Sequence, residues 1–150
     1  MDIVNEYLQA NSIIKITGSG YSYKENAPRI VCADGASLSV QASKNHYCSP
    51  RLDDIFSYDR VEVGYPSVRP NAEWEEYFDG AGWQDLSIIG YLAEIVKNFS
   101  MIKYYAKRKN WKMVRRALSF TDNACDNVYG YIPVELVVKF IEKHGGIKTD

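Results

Sequence analysis

The stretch Arg29-Ile-Val-Cys-Ala-Asp-Gly-Ala-Ser-Leu-Ser-Val-Gln-Ala42 decides the fold. Ala36, Leu38, Val40 and Ala42 alternate with Ser37, Ser39 and Gln41. That period of two predicts a strand with one face buried and one wet. The Asp34-Gly35 pair between two such arms predicts a hairpin closed by a two-residue type I′ turn, with positive φ at both central residues.

Working outward, Tyr58 to Tyr65 reads as a further strand, with Val61, Val63 and Tyr65 on one face. Residues 12–17 are rich in β-branched types and predict another. Gly18 to Pro28 reads as a loop. Residues 2–10 predict a short helix with Ile3, Val4, Tyr7 and Leu8 on one side. At the other end, Val128 to Ile132 reads as a strand. Pro133 then suits a first helical turn, and Val134, Val137, Val138 and Ile141 form an apolar stripe. Lys143 and His144 suit the last turn, and Gly145-Gly146 a stop.

Between these parts the period changes. Asn71 is placed to cap a short helix carrying Glu73, Glu75 and Glu76. Helices are expected over about 84–98 and 100–119, the second with Trp111, Val114 and Leu118 on one side. The expectation is therefore a single α+β domain over 1–150. Residues 1–67 and 128–150 form a small antiparallel sheet with the C-terminal helix packed on it. Residues 68–127 form a helical insertion before the last strand.

Composition limits function. A net charge of −1 argues against a protein that coats nucleic acid with its whole surface, and leaves room for a local patch. No apolar run reaches the ~20 residues of a membrane helix, and no export signal is read in residues 1–11. The three cysteines, an odd count, are then expected to be reduced thiols in a cytoplasmic protein. Twelve tyrosines fit either a half-wet sheet or an interaction surface.

The sharpest chemical feature is basic. Lys97, Lys103, Lys107, Arg108, Lys109, Lys112, Arg115 and Arg116 fall within residues 97–120, which hold no acid. Tyr104, Tyr105 and Trp111 are interleaved with them. Such a face can meet phosphates or an acidic protein groove, or simply face solvent or the chain's own acids. Lys103, Tyr104, Lys107, Arg108, Lys109, Trp111, Lys112, Arg115 and Arg116 are taken as the candidate partner-binding set. The acidic residues Asp53, Asp54, Asp59, Glu62, Glu73, Glu75, Glu76 and Asp79 offer a weaker alternative, a mimic of a phosphate backbone. His46 and Cys48, two apart, would share a strand face; with Cys32 on the hairpin they offer three soft ligands for zinc, or Cys48 a nucleophile with His46 as its base in a small cysteine-dependent enzyme, the least favoured readings. Their spacing matches no standard metal or catalytic pattern. No phosphate loop, serine elbow or paired-carboxylate motif is present. Neither a cofactor nor enzymatic activity is expected.

Several strings form a recognisable set. They are Cys32-Ala-Asp-Gly-Ala-Ser-Leu-Ser-Val-Gln-Ala-Ser43, Tyr47-Cys-Ser-Pro-Arg51, Val61-Glu-Val-Gly-Tyr-Pro-Ser67, Val128-Tyr-Gly-Tyr-Ile-Pro-Val-Glu135 and Ile141-Glu-Lys-His-Gly-Gly-Ile147. Together they resemble a group of small accessory proteins encoded by bacteriophages and prophages, over residues 30–67 and 128–147. The resemblance implies a counter-defence protein of the anti-CRISPR kind, in the host cytoplasm. Such a protein binds a host protein or ribonucleoprotein complex stoichiometrically, with a CRISPR effector as the first candidate. Direct nucleic-acid binding is the alternative.

Overall fold

A computed structural model describes residues 1–53, 55–79, 96, 99–114 and 124–149. The protein is α+β. Helix α1 (Ile3–Ala10) leads into strands β1 (Ile14–Ile16), β2 (Ser22–Lys24), β3 (Ile30–Val31), β4 (Ser37–Gln41) and β5 (Arg60–Gly64). A 3₁₀ helix (Ala72–Tyr77), strand β6 (Phe78–Asp79), helix α2 (Phe99–Lys107), strand β7 (Val128–Pro133) and helix α3 (Val134–Lys143) follow. The main sheet is antiparallel with five strands in the order β3-β4-β5-β7-β6, and β1 and β2 pair as a separate ribbon. Strand β2 lies inside the stretch expected to be loop. The helix expected over 84–98 lies outside the described residues except for Val96.

Strand β4 buries Leu38 and Val40, with Ala36 and Ala42 beside them, as the alternation requires. Its other face is covered as well. Gln41 is buried and closes a pair of hydrogen bonds with Ala27, donating to its carbonyl (2.9 Å) and accepting from its N–H (2.8 Å). Burying an amide costs little when donor and acceptor are both matched in this way.

The hairpin turn differs from the two-residue form. Gly35 N–H donates to Cys32 O (2.9 Å) and Cys32 N–H to Ala36 O (2.7 Å), which encloses three residues. Only Gly35 has positive φ, at 90°. This is a type I turn closed by a glycine in the left-handed region. Asp34 keeps negative φ because its carboxylate is engaged on both sides. It accepts from Ala36 N–H (2.9 Å) and from His144 Nδ1 (2.6 Å).

That second bond fastens the end of α3 to the hairpin. Ala33 N–H donates to Gly146 O and Lys148 N–H to Val31 O, so the residues after α3 run along β3. Helix α3 buries Val134, Val137, Phe140 and Ile141 in the same core as Val61, Val63, Tyr129 and Ile132. Phe140 takes the place expected of Val138, which is only half-buried. Helix α1 adds Val4 and Leu8 to that core. Asp2 caps α1 through Asn5 N–H (2.9 Å), and the buried Asn5 amide bonds both the N–H and C=O of Tyr58.

The insertion is not purely helical. Its first part belongs to the scaffold: β6 pairs along β7, with Phe78 opposite Tyr129. Trp74 is 1% exposed, its ring 5.3 Å from Tyr129 and 5.4 Å from Phe140. Glu75 is buried rather than solvated, and Asn71 makes no side-chain cap, accepting instead from Lys143 Nζ (3.1 Å).

Removing so large a buried ring leaves a cavity. Trp74→Ala is expected to cost ~3–5 kcal/mol in urea unfolding, whereas a segment peripheral to the core would lose far less. Asp34 supplies a pH test. Its carboxyl sits below the ordinary 3.8, first through the His144 hydrogen bond and then through Ala36 N–H. A carboxyl depressed by folding stabilises fully above its unfolded pKa and loses that contribution as pH falls through the folded one. Melting curves of the wild type and Asp34→Asn should therefore differ at pH ~5 and converge at acid pH. A constant gap would count against the pairing.

Candidate functional site

The basic segment forms a bent knuckle rather than one helix. Helix α2 ends where Lys109 N–H donates to Ala106 O (3.0 Å) and Asn110 N–H to Tyr105 O (3.1 Å). This is a Schellman closure, and Lys109 occupies the left-handed position usual for glycine, with φ 53°. Asn110 then starts a second helical turn over 111–114, its Oδ1 accepting from Met113 N–H (3.2 Å). The single helix expected over 100–119 is broken here because Asn110 caps better than it propagates. The capping asparagine before Trp-Lys-Met-Val was the available signal, and no glycine marked the break.

The break decides which side chains face out. Met101, Tyr105 and Met113 are buried and hold the knuckle to the body, and α2 packs against the 3₁₀ helix. Lys103, Lys107, Arg108, Lys109 and Lys112 are exposed. Trp111, expected on a helix side with Val114, is instead 66% exposed. The Arg108 guanidinium lies 3.7 Å from the Tyr104 ring centroid and donates to the Tyr104 carbonyl (3.2 Å). Tyr104 in turn meets the buried Tyr105 edge-on at 5.1 Å. This stack fixes one cation through a cation–π contact. None of the ion pairs between described residues involves the five cations. Arg115 and Arg116 lie outside the described residues, as does Lys97.

The acidic set is dispersed. Asp53 binds Lys44 through Nζ (3.1 Å) and the backbone N–H (2.9 Å), and Glu62 accepts from Tyr47 N–H (2.9 Å). Glu75 is buried, and Asp54 and the Asp79 side chain lie outside the described residues.

His46 and Cys48 do not share a strand. The chain turns there, with Cys48 N–H donating to His46 O (3.0 Å). The His46 ring meets Ser43 Oγ at 2.6 Å, and the Cys48 thiol donates to the Ser43 carbonyl (3.1 Å). Burial, the largest cause in each case, pushes the imidazole pKa down and the thiol pKa up, which favours the uncharged form of both. Cys32 is buried, and its pKa is likewise raised chiefly by burial. Among the described residues, no three His, Cys, Asp or Glu side chains converge as a metal site requires. No helix among them is long and apolar enough to cross a membrane.

Sequence reading missed a second surface. Strand β7 bulges against β5: Val61 faces Ile132 and Val63 faces Tyr129, so Gly130 and Tyr131 stand against Glu62 alone. Tyr131 has φ 53°, and its N–H donates to Tyr47 O (2.8 Å). The bulge brings the Tyr131 ring to 5.9 Å from that of Tyr47. Gly130, an isolated glycine within a strand, was the only sequence signal.

In comparisons with protein-family models, curated proteins and solved structures, nothing matches the chain.

A left-handed non-glycine residue carries strain. Lys109→Gly is expected to stabilise the protein by ~0.5–1 kcal/mol in thermal or urea unfolding. Destabilisation of that size would mean the α2 closure is wrongly described.

Proposed function

We propose that the protein is a non-enzymatic binding protein whose recognition surface is the knuckle at Lys103, Tyr104, Lys107, Arg108, Lys109, Trp111 and Lys112. One observation carries this reading: five exposed cations and a largely exposed tryptophan fall within residues 103–112, on a segment held to the core by three buried side chains. Exposed tryptophan and arginine are the side chains that most often dominate binding once a partner desolvates them. The surrounding lysines add long-range attraction to an acidic surface and speed encounter. Arg115 and Arg116 follow directly in sequence and extend the same charge.

The resemblance of the scaffold strings to phage-encoded accessory proteins supports a narrower version. In it the protein is a stoichiometric inhibitor of a host defence complex, with a CRISPR effector as the first target. A ribonucleoprotein offers both carboxylates and phosphates, and a cation–aromatic knuckle matches either. Direct binding to nucleic acid is the second reading, favoured by the alternation of cations with Tyr104 and Trp111.

The test replaces Lys107, Arg108 and Lys112 with Glu, and separately Trp111 with Ala, with circular dichroism as the check on folding. Binding to purified effector complexes should be lost in the triple variant and weakened at least ~10-fold by Trp111→Ala. Unchanged capture would overturn the assignment of this surface. Anisotropy with labelled RNA and DNA separates the readings. Direct nucleic-acid binding should be measurable at ~50 mM salt and fall steeply as salt rises. Absence of binding there removes the second reading.

A further inference from the structure

Beside the β7 bulge lies an open cavity of about 390 Å³ lined by Tyr47, Glu76, Tyr77, Phe78, Gly130 and Tyr131. Its size falls within the ~300–1,000 Å³ range of small-molecule pockets. Three of its walls are tyrosines from three separate segments: the turn before β5, the 3₁₀ helix and β7. The fourth polar group is the exposed Glu76 carboxylate. Phe78 is buried and belongs to the core.

The local backbone is committed to this arrangement. Tyr131 holds a left-handed φ of 53°, a conformation costly for a residue with an aromatic side chain. It is held there by its own N–H bonded to Tyr47 O (2.8 Å) and its carbonyl accepting from Arg60 (3.0 Å). Tyr47 is held in turn by the Glu62 carboxylate on its N–H (2.9 Å). Gly130 allows the close approach: a Cβ there would stand 3.2 Å from Tyr47 Cβ. Tyr47 and Tyr131 nevertheless remain 45% and 39% exposed.

The chemistry of the lining selects the ligand. Tyrosine faces carry negative potential and attract cations, while their apolar bodies disfavour a tightly hydrated ammonium. Tyr47 already draws one cation: the Arg51 guanidinium lies 5.6 Å from its ring centroid. A methylated ammonium is the matching guest, because it keeps the charge yet is apolar at its surface. We propose that Tyr47, Tyr77 and Tyr131, with Glu76, form a binding site for a methylated ammonium group. That group is carried either by a free quaternary amine or by an N-methylated lysine side chain. The site does not depend on the knuckle or on the proposed inhibitor role.

The test is titration of the full chain, followed by amide and aromatic NMR shifts. Its probes are choline, the neutral carbon isostere 3,3-dimethylbutan-1-ol, and trimethyl-lysine in a short peptide. Choline or the peptide should shift Gly130 and Tyr131 saturably, and the isostere should bind at least ~10-fold more weakly. Tyr131→Leu and Glu76→Gln should each weaken binding several-fold, while Tyr131→Phe, which keeps the ring, retains most of it. Tighter binding of the peptide assigns the group to a protein partner, and tighter binding of choline to a small molecule. Equal binding of the isostere would overturn the proposal in favour of a merely apolar shelf. No saturable shift with either cation up to ~20 mM would overturn it outright.

Discussion

Trp74 packs between Tyr129 of β7 and Phe140 of α3, and that contact ties the segment after β5 to the core. The residue follows Val68 by six positions, beyond the strands legible in sequence. By burying one large ring the chain turns back onto the sheet, lays β6 along β7, and places the 3₁₀ helix where α2 packs. Phe78 adds an edge contact to the same tyrosine at 5.8 Å. Burial of aromatic area on this scale outweighs the weak helical preference of the Asn71–Tyr77 stretch, which is why the segment is 3₁₀.

Two surfaces follow from this one anchor. The knuckle projects from α2, which is held by Met101 and Tyr105. Its five exposed cations make no ion pair with another described residue. The tyrosine-lined cavity is built from the 3₁₀ helix on one side and the β7 bulge on the other. Both sites sit at places where the backbone leaves its preferred conformation, Lys109 in one and Tyr131 in the other. Strain of this kind persists only where surrounding contacts over-determine the geometry.

Much of the frame was legible. The burial of Leu38 and Val40 in β4, of Val61 and Val63 in β5, of Val134, Val137 and Ile141 in α3 and of Val4 and Leu8 in α1 follows from periodicity, and the structure reproduces it. The sequence misled where tertiary contacts override local preference. Asp34-Gly35 has the composition of a type I′ turn, but the His144 bond to Asp34 comes from 110 residues away and no local rule contains it. Tyr65 was expected to follow Val61 and Val63 inward, yet it has φ 51° and is exposed. Glu75 is buried between the exposed Glu73 and Glu76, which their common charge does not signal. At the knuckle, the run of cations without acids was legible, while their exposure and the bend at Lys109 were not. The tyrosine cavity was invisible, because its three rings are contributed by residues 47, 77 and 131.

The central claim is that the knuckle is carried rigidly on the core. Native-state hydrogen exchange measures this directly, residue by residue. The slow amides of α2 around Tyr105 should exchange with opening free energies within ~1 kcal/mol of those of Tyr129 and Ile132 in β7. Exchange of α2 several kcal/mol more easily than β7, on the order of local fraying, would contradict the account.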